Sequence, residues 1–231
     1  MTDALYLNNM SRNKLQKFHK LKSMPHVIQP SIEDILNNKF VLKGNWAQKF
    51  NNNNPIILEL GCGKGEYAVN LAKMNPQYNY IGIDIKGSRM YTGADIVEQE
   101  NLKNVIFLRT HIEYLENLFT ANEIFEIWIT FPDPQIKFHR RKKRLTHPLM
   151  LKKYNNILHQ KGVVHLKTDS QFLYGYTLGV LERNNYKVIQ STSDLYNKDY
   201  SDKRLSIQTY YEKMFLDDNQ PITYLEFSFL Y

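Results

Sequence analysis

Ile56-Ile57-Leu58-Glu59-Leu60-Gly61-Cys62-Gly63-Lys64-Gly65 is the stretch on which the fold turns. Its apolar opening reads as a buried strand, and the glycines behind it swing the chain into a helix over residues 66–74. Glycine is needed where φ is positive or where a ligand approaches the backbone closely, because either excludes a Cβ. The helix start beyond it offers unpaired N–H groups, so such a loop suits a bound cofactor. A second apolar run, Tyr80-Ile81-Gly82-Ile83-Asp84, ends in a carboxylate about 20 residues past the glycines, where doubly wound folds place the acid that grips a ribose. A dinucleotide oxidoreductase would share this opening, but its fingerprint asks for a further glycine where the chain has Glu66.

Outward from that core the alternation continues. Strands are predicted over 78–85, 105–108, 124–131, 163–168 and 186–191, with helices over 88–101, 113–118, 148–159 and 172–184 between them and a last strand in 222–231. This order predicts an α/β fold, a mostly parallel sheet with helices on both faces. The polar, tyrosine-dotted segment 192–206 reads as a mobile loop. Upstream, the asparagines at 51–54 and Pro55 mark a boundary. Residues 31–54 read as a short helical lead-in, with Ser31 as N-cap and Glu33 and Asp34 in the first turn. Residues 1–30 read as a flexible basic arm punctuated by Arg12, Lys14, Lys17, Lys20 and Lys22, either a solvated tail or a contact for an anion. The main domain then occupies 55–231.

The chain has 231 residues, 42% of them hydrophobic, enough for one large core. Thirty Lys and Arg against 23 Asp and Glu leave a formal charge of +7, which suits an anionic partner such as nucleic acid. Cys62 is the sole cysteine, so an intramolecular disulfide is excluded and a reducing compartment is expected; we read it as a small loop filler. No apolar stretch approaches the roughly 18 residues of a membrane helix, and the N-terminus lacks a secretory apolar core. A cytoplasmic protein, monomer or homodimer, is expected. The seven histidines show no zinc-type spacing, so no metal is expected.

Ligands of open α/β sheets bind outside the carboxyl ends of the strands. Those ends carry Glu59, Asp84, Arg109, Asp133 and Asp169, which would bring four carboxylates to one rim. Each also has a local structural use: Asp133 lies in a Pro-Asp-Pro turn, and Asp169-Ser170 can cap the next helix. Directly behind Asp133 comes Lys137-Phe138-His139-Arg140-Arg141-Lys142-Lys143-Arg144, six permanent cations in eight positions. Such density calls for phosphates or solvent to screen it. Placed at the rim, it would hold a phosphate backbone against a reaction centre.

Taken together, Leu58-Glu59-Leu60-Gly61-Cys62-Gly63-Lys64-Gly65, Ile81-Gly82-Ile83-Asp84, Phe131-Pro132-Asp133-Pro134 with the basic run, His165-Leu166-Lys167-Thr168-Asp169 and Thr209-Tyr210-Tyr211-Glu212 resemble the bacterial tRNA (guanine-N7-)-methyltransferases. The resemblance runs from Pro55 to the C-terminus and departs at Gln135 and Ile136, where Trp-Pro is usual, and at Arg109, where asparagine is common. It implies a Rossmann-like class I methyltransferase fold, S-adenosylmethionine as donor, and methylation of guanine 46 in the tRNA variable region. By position it implies cofactor binding at Glu59, Gly61, Gly63, Gly65, Asp84, Arg109 and Asp133, catalysis at Asp133, and substrate binding at Lys137, Asp169, Thr209 and Glu212. Arg140, Arg141, Lys142, Lys143 and Arg144 are then expected on tRNA phosphates.

Guanine N7 is a lone-pair nucleophile with no proton to lose, so this chemistry needs alignment more than a base. A carboxylate at Asp133 would favour the positive charge that develops on the purine. The guanine N1–H and N2–H pair matches a carboxylate, which would suit Glu212 or Asp169. Thr209-x-x-Glu212 also fits a capping box before Met214-Phe215. The competing readings are a noncatalytic RNA-binding protein on the same fold and a methyltransferase aimed at another RNA atom.

Overall fold

The computed structural model describes residues 15–197 and 201–229. Among them, strands β1 (Val27–Ile28), β2 (Ile56–Leu60), β3 (Asn79–Ile83), β4 (Val105–Leu108), β5 (Ile124–Thr130), β6 (Leu158–Thr168), β7 (Lys187–Thr192) and β8 (Thr223–Ser228) form one sheet in the order β1-β4-β3-β2-β5-β6-β8-β7. Every pair from β1 to β6 is parallel, whereas β8 runs antiparallel between β6 and β7. The helices are α1 (residues 15–23), α2 (Ile32–Leu36), α3 (Trp46–Phe50), α4 (Glu66–Met74), α5 (Gly87–Gln99), α6 (Leu115–Leu118), α7 (Pro148–Ile157), α8 (Gln171–Arg183) and α9 (Tyr210–Asp217).

Strand periodicity divides the core. Leu58, Leu60, Ile81 and Ile83 pack with Leu151 and Tyr154 of α7 and Leu181 of α8. The alternate positions Ile57, Tyr80, Phe107 and Trp128 pack with Tyr67 and Leu71 of α4 and Met90 and Ala94 of α5. Both faces are thus covered, and β2 and β3 are buried along their whole length, which is why they read as continuous apolar runs. Close helix packing at the glycine loop depends on absent side chains. A Cβ on Gly65, at φ +74°, would lie 2.5 Å from the Phe107 ring, and one on Gly93 would lie 2.6 Å from Lys64 O. The start of α4 can therefore touch α5 directly.

Four readings change. The flexible arm expected over 1–30 is, from residue 15 on, part of the fold. Leu15, Phe18 and Leu21 alternate with lysines at helical spacing, Leu21 and Met24 are buried, and β1 pairs with β4 through Phe107 N–H to His26 O and Arg109 N–H to Ile28 O. Residues 1–14 of that arm lie outside the described residues. The lead-in is no separate unit either: Ile35, Trp46 and Phe50 join the main core, and Trp46 Nε1–H donates to Leu118 O at 3.1 Å. The segment read as a mobile loop over 192–206 buries Leu195 and Leu205 and ends in a 3-10 turn, Lys203–Ser206; its residues 198–200 lie outside the described residues. β6 also begins earlier than read, because Leu158 already pairs with Ile124 before a register shift brings Val163 opposite Glu126.

Candidate active site

The carboxyl ends of β2, β3 and β5 enclose a cleft lined by Glu59, Gly61, Gly63, Asp84, Thr130 and Phe131, with Thr209 and Tyr211 over it. Asp84 ties the loop down: Oδ2 accepts Gly63 N–H at 2.9 Å and Oδ1 accepts Lys86 N–H at 2.7 Å. Gly61 N–H and Cys62 N–H both donate to Ile83 O, so β3 sets the loop's position. Space opens where a ligand would need it. A Cβ on Gly63 would find only Gly61 O, at 3.9 Å, and one on Gly61 only Leu145 Cδ1, at 4.0 Å. Gly65 differs, since its missing side chain makes room for Phe107 and not for a ligand.

Glu59 lies on the helix-α4 side of β2. Its Oε2 accepts Ala68 N–H and its Oε1 accepts the Thr130 hydroxyl, each at 2.9 Å. Burial pushes its carboxyl up to about 8 against those two hydrogen bonds, with Asp84 and Glu66 adding to the rise. The group braces α4 onto β5 at the cleft wall. Arg109 departs from expectation. Its guanidinium donates to Ile85 O and Gln29 Oε1 and sits over the Phe18 ring, so it anchors the N-terminal segment instead of lining the cleft.

Asp133 is exposed on the loop after β5, between two residues with left-handed backbone, Phe131 (φ 48°) and Gln135 (φ 47°). Its Oδ1 accepts Gln135 N–H at 2.9 Å, the Asx turn that the Pro-Asp-Pro signal allowed. Phe131 N–H donates to Lys167 O, which fixes the loop to β6, and the Phe131 ring stacks on Phe215 of α9. Asp169 follows β6, half-buried, and burial raises its pKa. Ser170 beside it caps α8 by accepting Leu173 N–H.

The basic run forms a 3-10 helix, Phe138–Lys143, with Lys137 ahead of it. Lys137, Arg140, Lys142 and Lys143 are exposed, and Arg141 lies 4.0 Å over the Phe138 ring. Arg144 corrects the sequence reading. It is only 6% exposed, its donors face the carbonyls of residues 134–136, and the rings of Phe172 and Tyr176 flank it, so it presents no charge to an outside phosphate.

Glu212 is a further correction. It is fully buried, with Oε1 2.7 Å from the ammonium of Lys167 and 2.7 Å from the Tyr196 hydroxyl. Thr209 Oγ1 accepts Glu212 N–H, and Glu212 Oε2 accepts Thr209 N–H, a complete capping box. The carboxylate is therefore spent within the protein and offers no free edge to a base. Thr209 itself stays at the cleft wall. Lys167, equally buried, also donates to Leu205 O and Ile207 O; burial lowers its pKa and Glu212 opposes that.

Sequence reading missed Lys167, Arg89, Lys64 and Glu66. A lysine inside the apolar strand of residues 163–168 was the available signal, because a buried ammonium demands a carboxylate. Arg89 lines the cleft from the first turn of α5. Lys64 stands 3.7 Å over the Tyr210 ring and Glu66 accepts Tyr210 N–H, so α9 is held directly above the glycine loop. Among the described residues no group of three or more His, Cys, Asp or Glu could hold a metal ion, and no helix is long and apolar enough to cross a membrane.

Residues 53–225 match the family described as "Putative methyltransferase". A tRNA (guanine-N(7)-)-methyltransferase of Christiangramia forsetii is 51% identical over 219 residues, covering 94% of this chain and 98% of that protein. One of Bacteroides thetaiotaomicron is 48% identical over 219 residues, covering 94% and 86%. In fold, the crystal structure of the 16S rRNA methyltransferase KamB superposes with a TM-score of 0.62 at 13% identity, over 81% of this chain and 94% of that one. With half the residues shared along nearly its full length, and a family match over residues 53–225, the chain belongs to the tRNA (guanine-N7-)-methyltransferase family.

Proposed function

We infer that this protein transfers a methyl group from S-adenosylmethionine to N7 of a guanine in tRNA, at guanine 46 of the variable region. The observation that carries this reading is the continuity of one sheet edge. The Asp84-anchored glycine loop, the Asp133 turn and the exposed cations Lys137, Arg140, Lys142 and Lys143 follow one another along the carboxyl ends of β2, β3 and β5.

The donor fits the cleft's chemistry. Backbone bared at Gly61 and Gly63 lets a ligand approach the loop closely, and Asp84 at the cleft wall is the acceptor for its ribose. When bound, S-adenosylmethionine supplies an electrophilic methyl group on a positively charged sulfur. Guanine N7 presents a lone pair and no proton, so no residue has to act as a base. Asp133 serves as an electrostatic stabiliser of the charge that develops on the purine, its side chain exposed while Oδ1 accepts Gln135 N–H. Orientation of the two reactants supplies several kcal/mol of the barrier reduction. With Glu212 committed internally, Asp169 is the carboxylate left to accept guanine N1–H and N2–H. Lys137, Arg140, Lys142 and Lys143 hold the phosphates, and Arg141 joins them at the margin.

The test is direct. Purified protein with S-adenosylmethionine and unmodified tRNA should create a single borohydride- and aniline-sensitive site at guanine 46, and Asp133→Ala should abolish it with tRNA binding kept. An uncleaved tRNA beside an active control enzyme rejects the activity, and cleavage at another guanine rejects the position.

A further inference from the structure

Arg144 is the one cation of the basic run that is buried, 6% exposed where Arg140, Lys142 and Lys143 stand in solvent. Its Nε donates to Pro134 O and Gln135 O at 3.3 Å each, and its Nη2 to Gln135 O at 3.1 Å and Ile136 O at 3.4 Å. The guanidinium carbon lies 4.8 Å from the Phe172 ring centre and 4.4 Å from that of Tyr176, both on α8. One side chain thus ties three successive carbonyls of the Asp133 loop to a helix of the core.

The loop needs such a tie. Phe131 and Gln135 hold left-handed backbone at φ 48° and 47°, a conformation that strains a side-chain-bearing residue. Pro132 and Pro134 have no N–H to give, so no ladder of backbone bonds can form across the turn. Arg144 supplies side-chain donors to the carbonyls of residues 134–136. A guanidinium answers both needs, because its planar fork meets several acceptors in a fixed geometry and its flat faces stack on aromatic rings; an ammonium has neither the fork nor the flat faces.

We propose that Arg144 is a positioning residue for methyl transfer, holding the 131–136 loop so that the Asp133 carboxylate keeps its place at the reacting purine, and that it makes no contact with tRNA. This rests on the role of Asp133 given above. A displacement of about 1 Å in a positioned group costs on the order of 10²-fold in rate, so Arg144 acts on kcat and leaves affinity alone.

The experiment is a cycle of Arg144→Lys, Asp133→Asn and the double variant, with single-turnover methylation of tRNA measured alongside tRNA binding across salt concentrations. Arg144→Lys is expected to lose about 10²-fold in rate with tRNA affinity and its salt slope unchanged, and to lose little more when added to Asp133→Asn. A salt slope reduced by about one unit with the rate kept would make Arg144 a phosphate contact and overturn the proposal. An undiminished rate loss in the Asp133→Asn background would also overturn it. Wild-type rate in Asp133→Asn alone would remove the role of Asp133 itself, a result distinct from either. Should Arg144→Lys fail to fold, Tyr176→Leu removes one flanking ring and is expected to show the same pattern with a loss of about tenfold; wild-type rate in that folded variant would count against the proposal.

Discussion

Glu212→Gln is the substitution that separates a structural carboxylate from a base-reading one. Glutamine preserves the capping box, because its side-chain carbonyl can still accept Thr209 N–H. What it removes is the partner of a fully buried ammonium 2.7 Å away. Breaking one side of a buried ion pair costs about 3–5 kcal/mol, since the remaining charge is left uncompensated. In a chain of this size each kcal/mol lowers Tm by about 2–4 °C, so Glu212→Gln should unfold roughly 6–20 °C earlier. Lys167→Met combined with Glu212→Gln removes both charges, keeps the capping box and should recover most of that loss, giving a coupling energy above about 2 kcal/mol in a double-mutant cycle. Thermal and urea unfolding followed by circular dichroism measure the stability, and KM for tRNA is read on the same proteins. An unchanged Tm together with a tenfold higher KM for tRNA would refute the reasoning, because it would mean that the carboxylate faces the substrate and not Lys167.

Replacing Arg140, Lys142 and Lys143 by glutamine should reduce the salt slope of tRNA binding by about 2–3 units, at roughly 0.7–0.9 for each phosphate no longer neutralised, with Tm unmoved; a parallel slope in the two proteins contradicts the assignment of these cations to phosphates. Glu59 has a folded-state pKa raised from its ordinary 4.5 to about 8, so the stability it contributes is fully present below pH 4.5 and is lost as pH rises toward 8. Urea unfolding from pH 5 to 8 should therefore show a steeper decline in the native protein than in Glu59→Gln, by at most about 1.4 kcal/mol per pH unit, and matching profiles would rule this out. Arg109→Ala should free the N-terminal segment, seen as faster proteolysis within residues 15–29, while S-adenosylmethionine affinity holds; weakened cofactor binding with an intact segment would restore Arg109 to the cleft. Gly93→Ala places a methyl group against Lys64 O and should destabilise by about 1–3 kcal/mol through overpacking, and an unaltered Tm would show that α5 can yield there.

The sheet was legible because its central strands are buried on both faces, so Ile56–Leu60, apart from Glu59, and Tyr80–Ile83 appear as apolar runs bounded by turn residues. The glycine loop and Asp84 were legible for the same local reason: strand, turn and carboxylate stand in sequence register. Long-range partnerships left no such trace. Nothing near Lys167 announces Glu212, and nothing in Arg144 distinguishes it from the cations beside it, since each is defined by what folds against it. Arg109 was misplaced because the strand end at which it lies borders β1, and a two-residue strand carries too little periodicity to read. The N-terminal helix was obscured by lysines whose solvent face outnumbers its apolar one.

The place of β8 has a bearing on biogenesis. Thr223–Ser228 is inserted between β6 and β7, and the carboxylate for Lys167 is carried on the helix just before it. A nascent chain leaving the ribosome therefore exposes an unpaired edge on β6 and a lone cation behind the reaction centre until residues 210–228 emerge. Closure of the sheet, neutralisation of that cation and seating of α9 over the glycine loop all require that same segment. A shorter nascent segment, however well its first strands have assembled, cannot yet acquire a working pocket.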